Sequence, residues 1–364
     1  MPSAQKNDKI DNKIKNRQDS LVVESPTEMK GGKDHMTIYD IAKEAGVSIT
    51  TVSRVINQKP GIKESTRIKV QEVLDKYHYL PSPSAKSLAA KKSGTIALLT
   101  EDVRDAHYSH TVFMVEQELS KNGYNCLLMN TGTDKEQRIA CIERAMQNQT
   151  EGVILIGSTF EEKYIQKAIT RYLPNTPVVL ANAYLDLPNV CGVLCDGRKG
   201  MEDAVHYLAG KGIRHIAYMG DNENASARAK KQGYLDGMEK CELAEYTLIW
   251  KTERAMQAGC QETQKLLEQY PETEAILYEE DLIAIGGINE MTRQGIAIPD
   301  TISVIGFDNS VYTEMTIPRM SSIDDKLDAM GVKCAQTMLD MLEGTVLVSQ
   351  MMLIPELVIR ESCI

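Results

Sequence analysis

Residues 36–57 read MTIYDIAKEAGVSITTVSRVIN. Two short helices and a tight turn account for this run. Thr37 is a good N-cap, and Asp40 can return a bond to the Thr37 backbone N–H, as in a capping box. Ile38, Ile41 and Ala42 then share one face of the first helix. Ala45-Gly46-Val47 predicts the turn, because glycine adopts positive φ without a Cβ clash. Ser48 caps a second helix, Ile49–Asn57, with Val52, Val55 and Ile56 facing inward. That leaves Ile49, Thr50, Ser53, Arg54 and Asn57 outward. A third helix, about Glu64–Tyr77, brings Ile68, Val70, Val73 and Leu74 to close a small core. A Gly turn between short helices, the second presenting Thr, Ser, Arg and Asn, fits a DNA-reading helix-turn-helix.

Charge supports a division of labour. The 364-residue chain has a net charge of −10, yet residues 36–92 hold ten Lys/Arg against five Asp/Glu. A small basic module therefore sits on a large acidic body, so one part meets phosphate while the rest repels it. Aromatic residues are scarce, with one Trp and three Phe, and the 18 Met fill part of that core volume. No run reaches the ~18 uninterrupted apolar residues of a membrane helix, and the N-terminus lacks a signal-peptide apolar stretch. A cytoplasmic protein without membrane association is expected. The eight Cys lack metal-ligand spacing and read as reduced thiols.

Outward from the module, residues 1–35 are polar and charged without apolar periodicity, and read as a disordered extension. Lys30-Gly31-Gly32 ahead of Met36 reads as a translated ribosome-binding site, which makes Met36 a candidate native start. Residues 36–80 form the helical domain, and the Pro/Ser/Ala/Lys stretch at 81–94 reads as a hinge. From Thr95 onward, short apolar runs alternate with amphipathic segments. The runs Ile96–Leu99, Gly152–Ile156, Val178–Ala181, Ile216–Met219 and Ser303–Ile305 predict parallel strands covered on both faces. The length predicts two similar lobes.

The run at 36–57, together with STRIKV at 65–70, Tyr79-Leu80-Pro81 and Ala85-Lys86-Ser87-Leu88, resembles the lactose/galactose-repressor family. The body resembles the same family and periplasmic sugar-binding proteins through Asp102-x-x-Asp105-x-x-Tyr108, Asp281-x-x-Ala284 and Ile302-Ser-Val-Ile-Gly-Phe-Asp308. The resemblance implies a fold of α plus α/β class. It comprises a helix-turn-helix domain with a hinge helix, then a two-lobed, doubly wound α/β body at 95–364. The lobes are expected at about 95–192 plus 322–345, and 193–318 plus 346–364.

The resemblance also assigns roles. Ile49, Thr50 and Arg54 stand where the family reads bases in the major groove. Thr37, Tyr39, Thr51, Ser53, Asn57, Thr66 and Tyr79 stand at backbone-contact positions. Leu88 matches the hinge leucine that the family wedges into the minor groove, with Lys86 where arginine is commoner. Asp105, His107, Tyr108, Asn182, Lys230, Arg254, Asp281 and Asp308 match the effector cleft. Several depart from the family pattern: Lys230 replaces Arg, Asn182 an Asp, Glu280 an Asn and Ala106 a Pro. Three effectors stay open: a sugar or sugar phosphate, another polar metabolite, or a phosphorylated carrier protein.

The implied protein is a repressor of carbohydrate-related genes that binds a palindromic double-stranded operator as a homodimer. The ending at Ile364, without a leucine-heptad tail, agrees with a dimer rather than a tetramer. A solute-binding protein is the competing class, and it has no use for the basic module. No nucleophile elbow, zinc-protease pattern or phosphate loop follows from the residues, so neither an enzyme nor a cofactor is expected. His107 and His110 share a helix start, but no third ligand lies nearby in sequence, so no metal is expected.

Overall fold

The computed structural model describes residues 36–56, 58–79, 93–220, 223–346 and 348–364. The extension 1–35, residues 81–92 of the hinge, and the expected DNA contacts Asn57, Lys86 and Leu88 lie outside the described residues. The chain divides into two compact units, 1–86 and 87–364.

In the first unit, helices α1 (Ile38–Ala45), α2 (Ile49–Ile56) and α3 (Glu64–Lys76) enclose one small core. Ile41, Ala42, Ala45, Val52, Val55, Val70 and Leu74 form it. The capping box is present. The Thr37 N–H donates to Asp40 Oδ2 at 2.9 Å, and the Asp40 N–H reaches Thr37 Oγ1 at 3.4 Å. Gly46 takes φ +61° and ends α1 in the left-handed conformation. Ser48 Oγ accepts the Thr51 N–H at 3.2 Å at the start of α2. One expectation fails: Ile68 is 52 % exposed rather than in the core. At ~100° per residue, it lies about 200° around α3 from Val70, so both cannot face inward.

The second unit holds two six-stranded sheets. The first contains β1 (Thr95–Thr100), β2 (Asn125–Asn130), β3 (Gly152–Ile156), β4 (Val178–Ala181), β5 (Val190–Cys195) and β11 (Gln350–Leu353). Its order is β11-β5-β4-β3-β1-β2, parallel throughout. The second contains β6 (Ile216–Met219), β7 (Leu248–Trp250), β8 (Ala275–Tyr278), β9 (Ser303–Phe307), β10 (Ser321–Asp324) and β12 (Glu356–Val358). Its order is β12-β10-β9-β8-β6-β7, and only the β10–β12 pair is antiparallel.

Helices cover both faces. They are α4 (Ala106–Lys121), α5 (Lys135–Gln147) and α6 (Lys163–Tyr172), then α7 (Gly197–Gly210) and α8 (Ala225–Lys240). The remainder are α9 (Met256–Gln269), α10 (Asp281–Gln294) and α11 (Leu327–Glu343). Continuous apolar strands explain the double cover. Alternate residues of β1 supply opposite cores, Ile96 and Leu98 to one and Ala97 and Leu99 to the other. Ala217 and Met219 of β6 likewise oppose Ile216 and Tyr218.

The lobe boundaries shift from those expected. Ser321–Asp324 pairs with β9 in the second sheet, whereas Gln350–Leu353 pairs with β5 in the first. The chain therefore passes between lobes after β5, after β10 and after β11. The expected boundary at 318–322 fell one strand too early, because Ser321-Ser322 carries little apolar signal. Of the segment assigned to the first lobe, α11 does belong there: Met330, Cys334 and Met338 pack with Ile96 and Leu98.

Helices α9 and α10 approach at glycines. A Cβ on Gly286 would stand 2.0 Å from the Met256 carbonyl oxygen, and one on Gly259 would stand 2.2 Å from that of Ile283. Backbone cannot rotate away as a side chain can. Gly286→Ala is expected to cost roughly 1–3 kcal/mol through overpacking, despite alanine's better helix propensity. Urea unfolding measures it, and an unchanged midpoint would refute the close approach.

No described helix is long and apolar enough to cross a membrane. None of the eight cysteines is disulfide-bonded.

Candidate functional sites

The first unit presents α2 as an outward reading surface. Val52 and Val55 hold its inner face, while Ile49, Thr50 and Arg54 are exposed on the other. Thr50 and Arg54 are four residues apart and so stack along one stripe. Tyr39 is 68 % exposed, and Thr37 and Ser48 stand at the starts of α1 and α2. Thr51, Ser53, Thr66 and Tyr79 are half-buried at the edges of this small domain. Thr37 is partly committed: its hydroxyl donates to Asp40 Oδ2 at 2.6 Å.

In the second unit, the carboxyl ends of strands from both sheets meet at a cleft, the place where open α/β sheets bind ligands. A cavity of about 110 Å³ lies there. Six of the eight expected effector residues line it: His107, Tyr108, Asn182, Lys230, Arg254 and Asp308. Asp105 and Asp281 line an adjoining cavity of about 170 Å³ that shares His107, Arg254, Glu280 and Asp308 with the first. Glu101, Ser158, Thr159, Asn224, Ser226 and Glu279 also line the first cavity and were not singled out from sequence. Glu101 directly follows β1 and Glu279 directly follows β8, so the strand-end rule alone would have found them.

Asp105 caps α4 by accepting the His107 N–H at 2.9 Å. Its other oxygen meets Arg254 Nη2 at 2.8 Å, an ion pair that joins the two lobes. Arg254 Nε also donates to Glu280. Burial opposes the Arg254 charge, but Glu280 and Asp105 outweigh it and raise its pKa. Tyr108 packs against Gly157, whose φ of +121° and lack of a Cβ leave room for the ring. The Arg254 guanidinium lies 5.5 Å from that ring's centroid.

Lys230 is buried. Its ammonium donates to the Glu279 carbonyl at 2.9 Å and lies 3.8 Å from the Phe307 ring centroid and 3.7 Å from Asp308 Oδ1. Burial works against the ammonium, yet Asp308, Glu280 and Glu279 together raise its pKa. Burial pushes the Asp308 carboxyl up to about 6 against the pull of Lys230. Asn182 adopts φ +57°, which asparagine tolerates, and its Oδ1 accepts the Cys195 N–H at 3.4 Å.

Asp281 has a second role. It lines the adjoining cavity and also braces the loop after β9. Its carboxylate accepts the Ser322 hydroxyl at 2.6 Å and the Ser310 N–H at 2.7 Å. Burial, then the nearby Asp308 charge, raises its pKa to about 8. The braced loop holds Asp308 at φ +107° and Asn309 at φ +47°, a strained path that positions the Asp308 side chain. Asp281→Ala leaves two buried donors unsatisfied, at about 1–3 kcal/mol each. A clear fall in Tm is expected by calorimetry; a variant as stable as the parent would remove the bracing role.

Electrostatics narrow what the cavity accepts. Glu101, Glu279, Glu280 and Asp308 line it against Lys230 and Arg254, and both cations already have carboxylate neighbours. Glu101 is itself paired with Arg138 at 2.6 Å. Among the described residues of the lining, Lys230 and Arg254 both lie against carboxylates, so an anion gains little there.

Comparison with known proteins agrees with both units. Residues 37–82 match the family described as bacterial regulatory proteins, lacI family, and residues 205–363 match the periplasmic binding protein-like domain. An HTH-type transcriptional regulator of Lachnoclostridium phytofermentans is 30 % identical over 330 residues, covering 90 % of this chain and 99 % of that protein. Catabolite control protein A of Priestia megaterium is 29 % identical over 300 residues, covering 82 % and 90 %. Among solved structures, the lac repressor dimer bound to operator and the anti-inducer ONPF superposes with a TM-score of 0.82. It does so at 22 % identity, over 90 % of this chain and 98 % of that one. These relatives are regulators and not enzymes. The chain belongs to the lacI family of bacterial regulatory proteins, as a DNA-binding transcriptional regulator under effector control.

Proposed function

We propose that the protein is a cytoplasmic repressor of carbohydrate-related genes that binds a palindromic operator as a homodimer. The outward face of α2 carries this reading: Ile49, Thr50 and Arg54 stand exposed where a recognition helix meets base edges. Arg54 grips guanine O6 and N7, and Ile49 and Thr50 offer apolar contact to a thymine methyl. Thr37, Tyr39, Thr51, Ser53, Asn57, Thr66 and Tyr79 hold the phosphate backbone and set register. One such head reads a half-site, so two-fold symmetry matches an operator of two inverted half-sites. The hinge leucine Leu88, with Lys86 beside it, opens the minor groove between the two heads.

The effector enters between the lobes, and the charge balance favours a neutral sugar over a sugar phosphate. The 110 Å³ cavity is smaller than the ~300–1,000 Å³ usual for a ligand site, but cavities of about 170 and 510 Å³ share Asp308 with it, so the effector occupies the cleft where these spaces meet. Asp105 and Asp308 then exchange protein partners for sugar hydroxyls. Coupling of roughly 1–3 kcal/mol between lobe closure and the hinge changes operator affinity about 5–150-fold.

Selection of bound sequences from random DNA tests the head: a palindrome should emerge, and no enrichment would overturn the reading. A thermal-shift screen tests the cleft. Neutral sugars should stabilise the body. A shift only with sugar phosphates, or only with a phosphorylated carrier protein, would replace the neutral sugar with that effector.

A further inference from the structure

His107 contributes more than one wall of the cavity. Its Nδ1 is buried and has no hydrogen-bond partner, and neither does Asp325 Oδ1. Asp325 is 1 % exposed, just beyond β10 where the chain crosses between lobes. Around His107 Nδ1, Asp308 Oδ1 lies at 3.7 Å and Asp325 Oδ2 at 3.6 Å. These separations are too long for hydrogen bonds. The three donor atoms all lie within 4.8 Å of one another.

From this geometry we infer that His107, Asp308 and Asp325 form a binding site for a divalent transition-metal cation of the zinc type. Two bonds of about 2.1 Å at a tetrahedral angle end about 3.4 Å apart, so each carboxylate needs to approach His107 Nδ1 by only a few tenths of an ångström, and the two carboxylates, within 4.8 Å of one another, need to close by no more than about 1.4 Å. One imidazole and two carboxylates suit a borderline ion, and a fourth position is left for water or a ligand oxygen. Asp308 and Asp325 are both buried, and a divalent ion between them would add to the partial compensation that Lys230 gives Asp308.

His110, the partner that spacing suggests, turns away instead to pair with Asp328. Lys230 is the competing neighbour of Asp308, but its contacts with the Glu279 carbonyl and Phe307 do not depend on that carboxylate. The three ligands come from the first lobe, the second lobe and the crossover between them. A bound ion therefore fastens the lobes together and shifts operator affinity, a consequence that rests on the regulator reading although the binding itself does not.

The test titrates metal-stripped full-length protein with Zn²⁺ by calorimetry and with Co²⁺ by absorption. One ion per chain is expected, with a four-coordinate Co²⁺ spectrum lacking thiolate-to-metal charge transfer, which separates the site from the cysteines. His107→Gln and Asp325→Asn should each weaken binding more than about tenfold, and His110→Ala should leave it unchanged. Failure of the parent protein to bind overturns the site whether or not any variant folds. So does binding that His107→Gln leaves intact, or a thiolate spectrum. Operator binding without metal binding defeats the site alone, and metal binding without any operator defeats the regulator reading alone.

Discussion

Arg54→Ala is expected to weaken operator binding by about 30-fold or more. A bidentate Arg–guanine pair is worth roughly 1–3 kcal/mol, and a dimer on a palindrome loses two of them. The loss should concentrate at one base pair per half-site, because the fork recognises O6 and N7 rather than charge alone. Arg54→Lys keeps the charge on the same stripe of α2 and should recover little, since an ammonium cannot span both acceptors. The α2 helix will survive the change: Arg54 is exposed and its inner neighbours Val52 and Val55 hold the core. Competition binding against operators substituted at each position checks the prediction. Equal loss on all sequences, with the salt slope reduced by about 1 per site, would make Arg54 a phosphate contact instead.

What could be read in advance divides by the range of the interactions. The capping box of Thr37 and Asp40 and the left-handed Gly46 involve neighbours within a few residues, so sequence spacing reveals them. The central strands are buried on both faces and show as apolar runs. Edge strands β7, Leu-Ile-Trp, and β11, Gln-Met-Met-Leu, are half-exposed and short, so their brief apolar runs do not stand out in sequence. Ile68 misled because composition does not say which side of α3 turns inward. The cleft shows the same division. His107, Lys230 and Asp308 follow a family pattern of strand ends and helix faces. Asp281 occupies a matched position yet spends both oxygens on Ser310 and Ser322, which only the folded loop supplies. Asp325 had no local signal at all: its neighbours His107 and Asp308 come from distant parts of the chain.

Arg254→Ala is expected to destabilise the body by about 3 kcal/mol near neutral pH, the scale for removing one partner of a buried ion pair. Arg254 is the shared cation of Asp105 in the first lobe and Glu280 in the second. Glu280 is the more sensitive, with its side chain 13 % exposed. Burial already raises its pKa, and Arg254 is the first influence holding it down. Without the guanidinium, the folded-state pKa of Glu280 rises further above its unfolded value of 4.5. A carboxyl shifted that way costs nothing while protonated in both states, so the variant's deficit should be small at acid pH. It should grow as pH rises through the folded-state pKa. Urea unfolding at about pH 5 and about pH 8 reads this directly, with the larger gap from the parent at the higher pH. Glu280→Gln in the same chain removes the stranded charge and should restore most of the stability. The lobe tie through Asp105 is not restored, so the double variant should still differ from the parent in effector affinity. A gap that is the same at both pH values would mean that Arg254 contributes packing against Tyr108 and not charge.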